Sequence, residues 1–327
     1  MTSKRIVLVI SVAVFLAWFV VMLGAYTRLT NAGLGCPDWP GCYGHLVLPS
    51  TGKALDVAQN AFPSIPIESR KAWTEMAHRY AAGSLVLLIC LIALNAVWRS
   101  KKKTLPLFLV LLVAFQAALG MWTVTLKLLP VVVMGHLLDG ILIFSCLCLL
   151  RAQVGKLSPV DLPVWHRWAG LGLLIVFCQI ALGGWVSANY AGIACVGFPQ
   201  CNGQWLPDWH LDQGFYLLSP VGANYQGGVL DNAARISIQM VHRLGALITA
   251  VYCLSLAGAL LIKVKSCVIR ALACLLILLV VLQITLGILN VLMLLPVGIA
   301  VAHNGVAALL LATMLVLFYF TSHKDNL

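Results

Sequence analysis

The sequence predicts an all-α membrane protein, with eight transmembrane helices arranged as two pseudo-symmetric four-helix bundles. Three observations predict it. The 327 residues are 61% hydrophobic and 9% charged, with a mean hydropathy of +0.98; an average soluble domain is roughly a quarter charged. Eight apolar runs reach the about 20 residues that a bilayer-crossing helix needs. The two halves of the chain also resemble each other. This composition excludes a soluble globular enzyme, a disordered chain and a nucleic-acid binder. The net charge of +11 sits between the apolar runs, where it reads as a membrane orientation signal.

The first run, 6–26, is too long for the apolar stretch of a signal peptide and reads as a span. The others are 72–97, 105–126, 131–150, 168–188, 233–262, 268–291 and 297–320. Basic residues collect on one side: Lys4 and Arg5; Arg99, Lys101, Lys102 and Lys103; Arg151, Lys156 and Arg167; Lys263, Lys265 and Arg270; and Lys324. The short turns on the other side hold Lys127 or no cation. The positive-inside rule then places both termini in the cytoplasm. The long segments 27–71 and 189–232 face outward, as expected for a multi-pass protein of a bacterial cytoplasmic (inner) membrane.

The repeat divides the chain into 1–151 and 152–327. Glu75-Met76-Ala77-His78-Arg79 matches Gln239-Met240-Val241-His242-Arg243, and Gln116 to Gly120 matches Gln283 to Gly287. Leu129-Pro130 followed by His136 matches Leu295-Pro296 followed by His303. Cys36 and Cys42 are six apart, as are Cys195 and Cys201. Each half holds four spans, so the repeat keeps its topology. Transporters use such repeats too, so the duplication alone names no chemistry.

Of eight histidines, His45 and His210 fall in the outer segments, and His166 and His323 near the inner side. His78, His136, His242 and His303 lie within the second, fourth, sixth and eighth spans. Each is one to three turns from the outer start of its helix, about 5–15 Å deep. Ionisable groups inside spans are costly and mark function. Two repeated pairs at one depth suit haem iron held by two axial imidazoles. Zinc would want more N, S or O ligands nearby. A proton relay would not require two histidines per half.

The halves differ in their carboxylates. Glu75 shares a helix face with His78, and its counterpart is Gln239; Asp139 follows His136 by three, and its counterpart is Val306. This asymmetry predicts divided labour: a permanent haem in the second half, and chemistry in the first with Glu75 handling protons or stabilising a cation. The alternative for Glu75 is an interfacial residue that caps the helix or pairs with Arg79. Asp139 reads equally as a hydrogen-bond acceptor that orients His136. Arg79 and Arg243 are candidates for pairing haem propionates, or for snorkelling to headgroups. Both cysteine pairs face an oxidising compartment that permits disulfides, either as staples or as redox groups. No C-x-x-C-H motif for covalent haem attachment occurs.

The run from Gly24-Ala25-Tyr26-Thr27-Arg28 through Gly33-Leu34-Gly35-Cys36-Pro37-Asp38-Trp39-Pro40-Gly41-Cys42 resembles the first outer loop of heme A synthases. Glu75 to Arg79 resembles that family's E-x-x-H-R element, and Asn202-Gly203-Gln204-Trp205-Leu206-Pro207 its second large loop. One departure is that Gly197-Phe198-Pro199-Gln200-Cys201 lacks the Pro-Asp-Trp-Pro of the first loop. The resemblance implies a haem-dependent oxidoreductase. It would oxidise the C8 methyl of haem O to the formyl of haem A by successive hydroxylations, for terminal oxidase biogenesis. It further implies that His78 and His136 bind substrate haem O, that His242 and His303 bind the iron of haem b, and that Glu75 is catalytic. Cys36 and Cys42 match the family's loop pair, and heme O synthase is the implied partner. Lipid is the expected surroundings and a homo-oligomer is compatible; no nucleotide or flavin fingerprint marks an electron acceptor. The competing readings are a di-haem cytochrome b for electron transfer and a haem or quinone transporter.

Overall fold

Eight helices among the described residues are long and apolar enough to cross a membrane. In chain order the helices are α1 (Ser3–Leu29), α2 (Lys53–Ala61), α3 (Ser69–Arg99), α4 (Thr104–Thr125), α5 (Pro130–Gln153), α6 (Pro163–Ala188), α7 (Leu211–Gly214), α8 (Asn232–Lys263), α9 (Cys267–Leu292) and α10 (Val297–Phe320). The spans are all of these except α2 and α7, which lie in the two long segments between spans and were not foreseen. The computed structural model describes residues 3–48, 52–63, 65–99, 103–155 and 157–322. Lys101, Lys102, Lys156, His323 and Lys324 lie outside the described residues.

Local chemistry sets where the spans begin. Pro130 and Pro163 stand in the first turns of α5 and α6, where a missing N–H costs nothing. Asp231 caps α8 by accepting from Ala234 N at 2.7 Å. The turn leaving α4 and the turn leaving α9 repeat one backbone shape. Lys127 and Leu128 take φ of 48° and 63°, and Leu294 and Leu295 take 55° and 64°. Leu128 N donates to Thr123 O at 2.8 Å and Leu295 N to Asn290 O at 2.7 Å, satisfying carbonyls at the helix ends.

The packing of the first four spans recurs in the last four. α1 touches α3 and α5, as α6 touches α8 and α10; α4 touches α3 and α5, as α9 touches α8 and α10. The two sets meet through α5 against α10, α1 against α10 and α5 against α6. Phe144, Leu147, Leu256, Leu260, Leu276, Met314 and Leu317 are buried in the shared apolar core. Phe15, Leu87, Leu111, Leu278 and Ile262 are instead exposed on the periphery, as suits helices whose outer faces meet hydrocarbon. The chain is a multi-pass membrane protein. The two long segments lie at one end of the spans, called here the loop end.

Polar contacts also tie the two sets together. Trp18 Nε1 donates to Gly305 O at 3.0 Å. Arg28, at the end of α1, donates to Ser187 O at 2.6 Å on α6 and lies 3.8 Å above the Tyr190 ring. Tyr225 N in the second long segment donates to Lys127 O at 3.0 Å.

Candidate functional site

The four intramembrane histidines enter at the loop end of α3, α5, α8 and α10. They lie six to ten residues from the helix starts, about 9–15 Å deep at about 1.5 Å per residue. Each ring meets a glycine on the neighbouring span. A Cβ on Gly24 would stand 3.0 Å from His78 Cε1, and one on Gly120 would stand 3.3 Å from His136 Cε1. For Gly183 and His242 the distance is 3.1 Å, and for Gly287 and His303 it is 3.2 Å. A side chain at any of these positions would press on the ring, so the same close approach is built four times.

His78 and His136 face one another with ring centroids 6.4 Å apart and planes at 80°. Two imidazoles sharing one metal, with bonds of about 2 Å and about 1.2 Å from nitrogen to ring centre, have centroids about 6.4 Å apart. The pair is thus spaced to grip one iron between them. Nδ1 of His78, His136 and His303 is buried without a hydrogen-bond partner, which leaves donor capacity unspent. Among the described residues no group of three or more His, Cys, Asp or Glu side chains converges as a zinc site would require. The other described histidines are elsewhere. His166 stacks on Phe318 at 3.9 Å, His45 bridges to Cys42 through its backbone, and His210 N donates to Ser237 Oγ at 2.7 Å.

Glu75 is buried beside this pair, at 4% exposure. Its Oε2 accepts from Cys36 N at 2.9 Å and its Oε1 pairs with Arg79 Nη2 at 2.5 Å. Gly35 makes the first contact possible: a Cβ there would stand 2.6 Å from the Lys71 carbonyl carbon. The corresponding residue of the second loop is Ala194, and there Cys195 Sγ lies 3.7 Å from Met240 Sδ on α8. Arg243 Nη2 donates to the Cys195 carbonyl at 2.9 Å, and Gln239 Oε1 is buried and unpaired.

Both cysteine pairs are joined, Cys36 to Cys42 and Cys195 to Cys201, each with Cα atoms 4.8 Å apart. Both arginines clamp these loops. Arg79 donates to Asp38 O at 3.0 Å, Pro40 O at 3.2 Å and Gly41 O. Arg243 donates to Gln200 O at 3.1 Å and Gly197 O at 3.0 Å. Their guanidinium groups therefore point at loop carbonyls. Tyr43 packs beneath the first disulfide with its hydroxyl donating to Pro66 O at 3.1 Å. Burial, with Glu68 and Asp38 adding to it, pushes its phenol pKa up. Asp139 is buried at 6% exposure. It does not orient His136 as one reading expected, because Asp139 Oδ2 and His136 Nδ1 are both unpaired.

Residues 6–315 match the family described as COX15-CtaA, cytochrome oxidase assembly protein. The chain belongs to the COX15-CtaA family. Its curated relatives include the heme A synthase of Shewanella oneidensis, 47% identical over 312 residues and covering 94% of each chain. The heme A synthase of Allorhizobium ampelinum is 30% identical over 331 residues, covering 91% of this chain and 85% of its own. That of Chelativorans sp. is 29% identical over 328 residues, covering 93% and 86%. The family resemblance read from the loop motifs is thereby borne out.

Within this COX15-CtaA chain, sequence reasoning missed two kinds of residue. Arg28 lies in the first loop motif, and it reaches from α1 to Ser187 O and the Tyr190 ring of the other set of spans. The glutamines Gln116, Gln179 and Gln283 were given no task. A Gln-x-x-x-Gly pattern in α4, α6 and α9 was the signal that could have found them.

Proposed function

We propose that this protein is a heme A synthase that oxidises the C8 methyl of haem O to the formyl of haem A by successive hydroxylations, for terminal oxidase biogenesis. The observation that carries the reading is the 6.4 Å spacing of the His78 and His136 rings beside the buried Glu75, in a chain with near-full-length heme A synthase relatives. The unit 1–151 holds the substrate haem O between His78 and His136. The unit 152–327 holds haem b between His242 and His303. Haem b, when bound, supplies one-electron redox chemistry.

The rest falls to side chains of this chain. His78 and His136 orient haem O within reach of Glu75. Glu75 takes up protons or stabilises developing positive charge at the methyl, and Arg79 and the Cys36 N–H hold its carboxylate in place. The absence of a carboxylate at Gln239 and Val306 supports giving the second pair electron relay alone. Lys4, Arg5, Lys263 and Arg270 at the opposite end support cytoplasmic termini and an outward loop end. Haem O arrives from a prenylating heme O synthase, the partner this substrate demands.

The test is chromatography of haems extracted from the purified protein, expressed with and without a source of haem O. Haem O or haem A beside haem b is the expected result, with haem A lost in Glu75→Ala. Haem b alone in the presence of haem O overturns the enzyme reading and leaves an electron-transfer cytochrome.

A further inference from the structure

Two guanidinium groups without a carboxylate partner meet at the loop end of α6. Arg28 leaves α1 and donates through Nη2 to Ser187 O at 2.6 Å and Ala188 O at 3.4 Å, with the Tyr190 ring 3.8 Å away. Arg235, in the first turn of α8, comes to the same 187–190 turn: a Cβ on Gly228 would stand 3.1 Å from both Arg235 Nη2 and Asn189 O. Nε of each arginine is buried and has no hydrogen-bond partner. Among the described residues the ion pairs are Lys71 with Glu68 and Arg79 with Glu75, so neither Arg28 nor Arg235 is neutralised by a carboxylate. Buried N–H groups and unpaired charges are costly unless an anion satisfies them.

Register places the two arginines above the second histidine pair. Arg235 precedes His242 by seven residues, so it shares its helix face and lies about 10 Å nearer the loop end. Ser187 follows Gly183, the glycine against the His242 ring, by one turn of α6. A haem gripped by two imidazoles carries its two propionates on one edge, and two guanidinium groups match two carboxylates. Arg79 and Arg243 are turned to loop carbonyls instead. The first unit is built differently. Lys71 holds the repeat position of Arg235, seven residues before His78, but its Nζ is paired with Glu68 at 2.8 Å.

We propose that Arg28 and Arg235 form a carboxylate clamp for the propionates of the haem between His242 and His303. This rests on the haem-ligand reading above and deepens it. Arg28 reaches the clamp from the first unit, so the second haem is held by both halves of the chain. Two uncompensated cations suit a haem that stays in place. A lysine already paired with Glu68 suits a haem that enters as substrate and leaves as product.

The experiment is a potentiometric titration of haem b in the purified protein, reconstituted in phosphatidylcholine vesicles with and without phosphatidylglycerol. A guanidinium beside a propionate offsets its negative charge and so favours ferrous over ferric iron. Arg235→Leu and Arg28→Met are each expected to shift the reduction equilibrium about tenfold toward ferric, about 59 mV for one electron, in both lipids. Arg235→Lys is expected to restore most of the potential, which a purely structural role would not do, and Lys71→Met to leave it unchanged. The Arg235 variants decide the matter if Arg28→Met does not accumulate. Unchanged potentials in the arginine variants, or an equal shift in Lys71→Met, overturn the proposal alone. So does a shift confined to vesicles with phosphatidylglycerol, which assigns the arginines to lipid headgroups. Full haem b in both His242→Ala and His303→Ala overturns the haem-ligand reading and the proposal with it.

Discussion

The carboxylate of Glu75 accepts the backbone N–H of Cys36 at 2.9 Å, so the acid beside the histidine pair is bonded directly to the disulfide loop above it. The corresponding Gln239 Oε1 is buried and unpaired. Glu75→Gln keeps an acceptor for Cys36 N but loses the ion pair with Arg79, whereas Glu75→Ala leaves that buried N–H unsatisfied at a cost of about 1–3 kcal/mol. Both variants are expected to lose haem A output with the His78–His136 pigment retained. Both should lower thermal stability through the lost ion pair, Ala more than Gln because it also strands the Cys36 N–H. Haem extraction and a melting curve on the same preparation check this; normal haem A from Glu75→Ala would remove Glu75 from the chemistry.

The link between Glu75 and Cys36 separates the two disulfides. Closing so short a loop stabilises by about 2 kcal/mol in the chain-entropy account, so Cys→Ser at either pair should lower the melting temperature. Cys36→Ser with Cys42→Ser should also depress haem A formation, because it frees the loop that positions Glu75. Cys195→Ser with Cys201→Ser should leave turnover per folded molecule unchanged. Equal turnover losses from both double variants would contradict the separation.

The glycine cradles make a sharper steric test. Gly24→Val is expected to displace the His78 ring, and Gly183→Val the His242 ring, each at about 1–3 kcal/mol of overpacking. Pigment at the affected site should fall by about tenfold or more while the other site stays loaded. Gly83→Ala in α3 and Gly258→Ala in α8 are the controls, since a Cβ at either position meets nothing within 4 Å. The absorption spectrum reads all four.

Arg28 joins the two sets of spans through Ser187 O and the Tyr190 ring. Arg28→Met keeps the apolar stem and removes the charge. The variant should lose about 2 kcal/mol from the lost charged hydrogen bond and cation–π contact. Ser187 lies four residues beyond Gly183, so the haem b band should shift as well. A melting temperature and a spectrum both equal to those of the unaltered protein would make Arg28 a bystander.

The sequence by itself determined the membrane class, the eight spans to within a few residues at most ends, the four buried histidines and the family. These follow from apolar run length, from the cost of an imidazole in hydrocarbon and from short motifs, all of which are local. Only the tertiary structure decided that Arg79 and Arg243 turn to loop carbonyls, that Asp139 leaves His136 unpaired and that Gly35 brings Cys36 onto Glu75. It also decided that Gln116 and Gln179 reach across to the backbone carbonyls of His136 and His242. Each of these is a contact between helices or loops far apart in the chain. Hydropathy registers how much polar character a residue has and carries no information about which neighbouring helix it will face.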